Sequence, residues 1–435
     1  MTCINRWLQS RIATLAILII LLNSLATAQG NSIVERFGLI RASGNKLVDQ
    51  NGRPVILRGM SLFWSQWIGK YYNYDCVQWL RDDWNCTVVR AAMAVESGGY
   101  LFNPEVEKTK IRAVIDACID LGIYVIVDWH DHHAQWHRDQ SVAFFEELAS
   151  EYGDRPNLIY EIYNEPLQVS WRDSIKPYCD TVVKHIRAID PDNLILVGSS
   201  TWSQDVDLAT IYPIIDTNVA YTLHFYSATH KQSLRSKATT ALGRGYAIFV
   251  SEFGTCESSG SGFLDSLETE TWMTFMNNNK ISWCNWSIAD QVETSAALLP
   301  NASSTGGWLL TDLTRSGYFI RKKIKEENER MLNSVSSQTE IPRHFALYQN
   351  YPNPFNPITN LSFTVPSISQ VTLKMYDILG REIETIASAI YTTGTHNINW
   401  NAGQHASGVY IIRMIAQSEN SNDPIIQMRK LLLLK

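Results

Sequence analysis

Runs that are apolar almost without interruption recur along the chain: Val55–Leu62, Cys86–Met93, Ile123–His130, Leu158–Asn164, Asn193–Ser200, Val219–Tyr226, Tyr246–Phe253 and Ile281–Ser287. Such runs predict strands covered on both faces. Between them apolar residues fall at helical spacing. Val106–Leu121 shows it with Val106, Ile111, Val114, Ile115, Cys118 and Ile119, and Trp171–Ile189 reads the same way. The strand starts lie 26 to 37 residues apart, one strand–helix unit each. Eight such units over about 270 residues predict a closed (β/α)8 TIM barrel. An open doubly wound sheet would stop sooner and carry a Gly-rich phosphate turn. Lys46–Asp49, Gln50-Asn-Gly52 and the residues from Arg53 predict a small hairpin at the barrel's entrance.

The pattern changes near residue 330. Lys325–Arg330 reads as a charged helix end, followed by a polar, Ser-rich linker over 331–344. From 345 to 435 short alternating runs take over: Asn360–Val365, Gln370–Tyr376, His396–Trp400, Val409–Ala416 and Gln427–Leu432. Ile378-Leu-Gly-Arg381 and Ala406-Ser-Gly408 form turns between them. These predict a small all-β, immunoglobulin-like sandwich. The barrel domain is expected over 36–330.

Arg6 and Arg11 precede the 11-residue apolar run Ile12–Leu22, and Ala26-Thr-Ala28 follows. That order predicts an export signal over 1–28, cleaved after Ala28. A bilayer span needs about 20 apolar residues, so the run is too short to anchor the chain. With 37 Lys plus Arg against 43 Asp plus Glu, the net charge of −6 makes nucleic acid a poor partner. Six cysteines follow the signal (76, 86, 118, 179, 256, 284), and buried free thiols are the preferred reading. The 14 Trp and 19 Tyr stand out, because flat amphipathic rings suit sugar faces.

Chemistry in such a barrel sits at the C-terminal strand ends. Those ends carry Arg90, His130, Asn164-Glu165-Pro166, Trp202, His224 with Tyr226, Glu252 and Trp286. Glu165 follows the fourth strand and Glu252 the seventh. Hydrolysis of a glycosidic bond needs two carboxyls flanking it, one protonating the leaving oxygen and one attacking carbon or activating water. His130, His132, His133 and His137 lie on a strand end and loop where adjacent side chains diverge. Hydrogen bonding and cleft lining are therefore expected of them, with no metal and no cofactor.

The motifs Ile159-Tyr-Glu-Ile-Tyr-Asn-Glu-Pro166, Val250-Ser-Glu-Phe-Gly254, Val127-Asp-Trp-His130 and Leu223-His-Phe-Tyr226 resemble the family 5 glycoside hydrolases, above all their bacterial secreted endoglucanases. The resemblance implies an endo-β-1,4-glucanase (cellulase) retaining configuration by double displacement, with Glu165 as acid/base and Glu252 as nucleophile. It further implies Asn164 on the sugar 2-hydroxyl, Arg90 and Tyr226 holding Glu252, and His130 and His224 lining the cleft. Trp202, Trp286, Trp67 and Tyr100 would be sugar platforms, and Glu293 a supporting residue. Where many relatives carry a Lys after the last strand, this chain has Gln291. A mannanase, licheninase or xyloglucanase on the same carboxylates is the alternative, and a catalytically silent glycan-binding barrel is one of another class.

In the tail, Tyr348-Gln-Asn-Tyr-Pro-Asn-Pro-Phe-Asn-Pro357, Tyr376-Asp-Ile-Leu-Gly-Arg-Glu382 and Gly408-Val-Tyr-Ile-Ile-Arg413 resemble the C-terminal sorting domain of type IX secretion substrates. The expected partners are a β-glucan polysaccharide and the secretion machinery. The expected protein is an extracellular or cell-surface monomer.

Overall fold

A computed structural model describes residues 32–216, 218–336, 344–418 and 424–435. The expected signal at 1–28 and residues 337–343 of the expected linker lie outside the described residues. The chain forms two compact units that divide between Glu329 and Arg330.

The first unit is the expected barrel. Its strands are β1 (Arg58–Leu62), β2 (Val88–Ala94), β3 (Tyr124–His130), β4 (Leu158–Glu161), β5 (Ile195–Val197), β6 (Val219–Tyr226), β7 (Ile248–Gly254) and β8 (Ser282–Ile288). They pair in parallel in chain order, and β8 closes on β1. Their residues are buried throughout, apart from half-buried Tyr226, which accounts for the continuous apolar runs. Gly59 shows how tightly the wall closes: a Cβ there would lie 1.7 Å from the Val88 carbonyl oxygen, so only glycine lets β1 meet β2.

Helices α1 (Tyr74–Asp82), α2 (Pro104–Leu121), α3 (Arg138–Tyr152), α4 (Lys176–Arg187), α5 (Val206–Ala209), α6 (Gln232–Gly243), α7 (Ser266–Asn279) and α8 (Arg315–Ser336) alternate with the strands. Local chemistry sets their ends. Pro104 opens α2 and left-handed Gly122 closes it; the Asp265 side chain accepts from the Glu268 amide at the start of α7.

Several boundaries differ from expectation. β4 and β5 end early, because the chain after them bends inward to build the barrel mouth. The expected hairpin pairs through an antiparallel bridge between Val48 and Pro54, and a further two-stranded pair, Arg41–Ser43 with Lys46–Val48, precedes it. Asp49–Arg53 does form a turn, organised by the Asp49 carboxylate on the amides of Asn51 and Arg53. Helix α8 runs on to Ser336, so the start of the expected linker is helical. All six cysteines are buried free thiols.

The second unit has strands β9 (Ala346–Leu347), β10 (Ile358–Val365), β11 (Ser369–Tyr376), β12 (Glu382–Tyr391), β13 (Gly394–Asn401), β14 (Gly408–Ser418) and β15 (Ile425–Leu433). They make two antiparallel sheets, β9-β10-β13 and β12-β11-β14-β15. Strand β12 was missed because it is an edge strand with no buried residue, leaving no apolar alternation to read. Among the described residues, no helix is long and apolar enough to cross a membrane.

Candidate active site

Glu165 and Glu252 meet at a cavity of 570 Å³ in the barrel mouth, lined also by His132, Trp202, His224 and Tyr226. One oxygen of each Glu and a ring nitrogen of His224 lie within 4.8 Å of one another. Glu165 sits on the segment after β4, which is drawn inward by amide bonds from Asn164 to the Trp129 carbonyl and from Glu165 to that of Asp131. Glu252 projects from β7.

Arg90, fully buried on β2, organises the floor. Its guanidinium reaches Glu252 at 3.1 Å, Glu161 at 2.7 Å and Asp128 at 2.8 Å, and donates to Oδ1 of Asn164 at 2.6 Å. That fork fixes the Asn164 amide with Nδ2 turned away, and Nδ2 has no acceptor among the described residues. A buried donor without a partner is costly, and a substrate hydroxyl would satisfy it. Tyr226 donates to Oε1 of Glu252 at 2.9 Å. Burial and then the Glu165 charge push the Glu252 carboxyl above its ordinary range, while His224, Arg90 and Tyr226 pull it back. Burial likewise raises Asp128.

His130 donates from Nδ1 to Asp128 at 2.6 Å and stays neutral, because burial and Arg90 both disfavour its charge. Its ring stacks on Trp286 at 5.3 Å and meets the edge of Trp64 at 4.0 Å. His224 contacts Glu165 through Nδ1 at 2.9 Å. The other histidines diverge as expected: His132 faces the Glu165 carbonyl, His133 faces Glu96 and His137 faces Asp131. Glu96, Asp131 and His137 do bring ligand atoms within 4.8 Å, but the Asp131 carboxylate is already engaged by His137, the Trp129 indole and the His133 amide.

The expected platforms separate. Trp202 is 39% exposed and lines the cavity; Trp67 is 59% exposed beside Trp64. Trp286 is only 4% exposed, covered by Phe63 and His130, so it is wall more than platform. Tyr100, half-buried, meets Trp129 and Phe144 edge-on. Glu293 accepts from Gln291 and Ser295 and packs over Gly260, outside the cavity lining, where burial raises it. Sequence reasoning missed Asp128, Glu161 and Ser251 beneath the site. A signal existed for two of them: a carboxylate inside a run expected to be buried on both faces demands a partner.

The chain is similar to known proteins along both units. The family described as cellulase (glycosyl hydrolase family 5) matches residues 48–292, and a secretion system C-terminal sorting domain matches 349–427. An endoglucanase of Clostridium saccharobutylicum is 46% identical over 311 residues, covering 70% of this chain and 68% of that protein. Endoglucanase A of Evansella cellulosilytica is 47% identical over 320 residues, covering 72% and 64%. The chain thus spans about two thirds of the length of these relatives. A solved structure from Cytophaga hutchinsonii superposes with a TM-score of 0.69 at 52% identity, covering 70% of this chain and all of that one. The catalytic domain of a Thermobifida fusca endoglucanase gives 0.65 at 33%, covering 68% of this chain and all of that one.

Proposed function

Because the chain belongs to glycosyl hydrolase family 5, we propose that it is an endo-β-1,4-glucanase acting on cellulose and related β-glucans with retention of configuration. The observation that carries this reading is the pair Glu165 and Glu252, with an oxygen of each within 4.8 Å of the other. Retaining enzymes hold their carboxyls about 5–5.5 Å apart, too close for a water between them. One carboxylate must therefore attack the anomeric carbon.

In our reading Glu252 is that nucleophile, since Arg90 and Tyr226 hold and orient both of its oxygens. Glu165, half-buried and paired with His224, protonates the departing oxygen and then takes a proton from the water that releases the sugar. The free Nδ2 of Asn164 would donate to the sugar 2-hydroxyl. Trp202 and Trp67 present exposed rings on which sugar faces could stack, and the chain is read as acting as a monomer. The tail is a type IX sorting domain and marks a secreted or cell-surface protein.

The test is hydrolysis of carboxymethylcellulose, barley β-glucan, xyloglucan, mannan and xylan side by side, with first products read by proton NMR. Release of β-anomeric products from the first two is expected. A preference for mannan of about tenfold would overturn the substrate, no turnover of any glycan would favour a binding protein, and initial α anomer would overturn retention.

A further inference from the structure

Behind Glu165 the contacts continue away from the cavity. Nε2 of His224 lies 3.0 Å from the Ser251 hydroxyl, which donates to Oε1 of Glu161 at 2.5 Å; Oε2 of Glu161 accepts from Nε of Arg90 at 2.7 Å. Glu161, Ser251 and His224 are all buried. A serine hydroxyl has one proton to give. With that proton directed at Glu161, Ser251 can only accept from His224, so Nε2 carries a hydrogen and Nδ1 is the nitrogen that faces Glu165.

We propose that Glu161 and Ser251 are positioning residues for Glu165: they touch no sugar and act through His224 to hold one ring orientation and tautomer against the acid/base. The proposal rests on the reading of Glu165 as that acid/base. While Glu165 is ionised, Nδ1–H of an imidazolium donates to it. Once Glu165 is protonated, its hydroxyl donates to the bare Nδ1 of a neutral ring. In both states Nε2–H stays on Ser251. The proton delivered to the leaving oxygen, and later regained from water, therefore belongs to a Glu165–His224 pair, and neither state strands an unpaired donor.

The electrostatics agree. Burial works against charge on His224, yet the nearby Glu161 and Glu165 carboxylates raise it to about 9. Burial also works against Glu161, yet Arg90 and His224 bring it down to about 2. The other groups around this link are Asp128 and His130 from β3, Tyr226 from β6, Glu252 from β7 and Cys284 from β8. None of these hydrogen-bonds to Nε2 of His224 among the described residues; Oε1 of Glu161 itself lies 3.7 Å from Nε2, beyond hydrogen-bond reach, so Ser251 is the hydrogen-bonded link between the two.

The experiment compares wild type, Ser251→Ala, Ser251→Thr, Glu161→Gln and Glu165→Gln on cellotetraose and on a dinitrophenyl cellobioside, whose leaving group needs little protonation. Ser251→Ala should lose about tenfold in kcat/KM on cellotetraose but less than about twofold on the aryl glycoside. With the hydroxyl that joins Nε2 to the Glu161 anion gone, the pair should release its proton sooner, bringing the alkaline limb of kcat/KM down by about one pH unit. Ser251→Thr should restore both, and Glu161→Gln should move the limb in the same direction as Ser251→Ala. Equal losses on the two substrates, or an unmoved alkaline limb, overturn the proposal. Glu165→Gln separates the failures. If it damages both substrates alike, the acid/base reading falls and the positioning role with it. If it spares the aryl glycoside while Ser251→Ala damages both alike, only the positioning role falls.

Discussion

Arg90, at the scale of single residues, shares one guanidinium among Asp128, Glu161 and Glu252. With Glu165 included, four carboxyls gather around Arg90 and His224 in a buried space. Burial first, and then the Glu165 charge, disfavour ionisation of Glu252 and move it upward. Glu252 must be ionised to attack. The acid limb of kcat/KM should therefore have its midpoint above the ordinary glutamate value of 4.5, with activity lost as pH falls through it. Tyr226→Phe removes a donor that favours the ionised form, so it should push that midpoint higher still, by up to about one unit. A pH profile of both enzymes checks this. A midpoint at or below 4.5, or one that Tyr226→Phe leaves in place, would count against Glu252 as the attacking group.

At the scale of elements, the turn after β5 carries three left-handed non-glycine residues in a row beside the cavity. Thr201, Trp202 and Ser203 have φ of 60°, 54° and 56°, and left-handed non-glycine residues cost about 1–3 kcal/mol each. The turn is held by the very segment that carries Glu165: Trp202 donates its amide to the Pro166 carbonyl at 2.8 Å, and the Ser203 hydroxyl donates to that of Asn164 at 2.6 Å. Strain sustained by neighbours of the acid/base places an indole at a fixed position in the cavity wall. Since the ring is 39% exposed, its removal leaves no core cavity. Trp202→Ala should lower kcat/KM on polymer by about tenfold, the low end of what stacking on a ring contributes, and shift the melting temperature by less than about 2 °C. Polymer kinetics unchanged from wild type would remove Trp202 from the binding path.

Each unit of the whole molecule has a hydrophobic core of its own, so the tail is dispensable to the barrel's packing. Within the tail, Trp400 is 4% exposed and packs with Phe355 and Tyr410, which leaves it unable to act as a sugar platform. Deleting residues 345–435 should accordingly leave hydrolysis intact while abolishing release from the native host. Activity in culture medium against activity retained in cells checks this. Equal extracellular activity from truncated and full-length genes would refute the sorting role, and lost adhesion to insoluble cellulose would point to carbohydrate binding instead.

The barrel and its two carboxylates were legible because their causes are local along the chain. Strands buried on both faces must be apolar end to end, and reactive residues sit on them or just past them, so counting runs and reading their far ends located Arg90, Asn164, Glu165, His224, Tyr226 and Glu252. Trp202 was read from a strand end in the same way, whereas exposed Trp67 came from the family resemblance. What tertiary structure alone decided is direction. Glu293 braces a loop and Trp286 is covered, because each ring or carboxylate goes where its neighbours leave room or a partner. The role of Ser251 lay beyond sequence reasoning for the same reason. A serine on a buried strand looks like a small core residue until β4 and β6 bring Glu161 and His224 against its hydroxyl, and only the closure of the barrel does that.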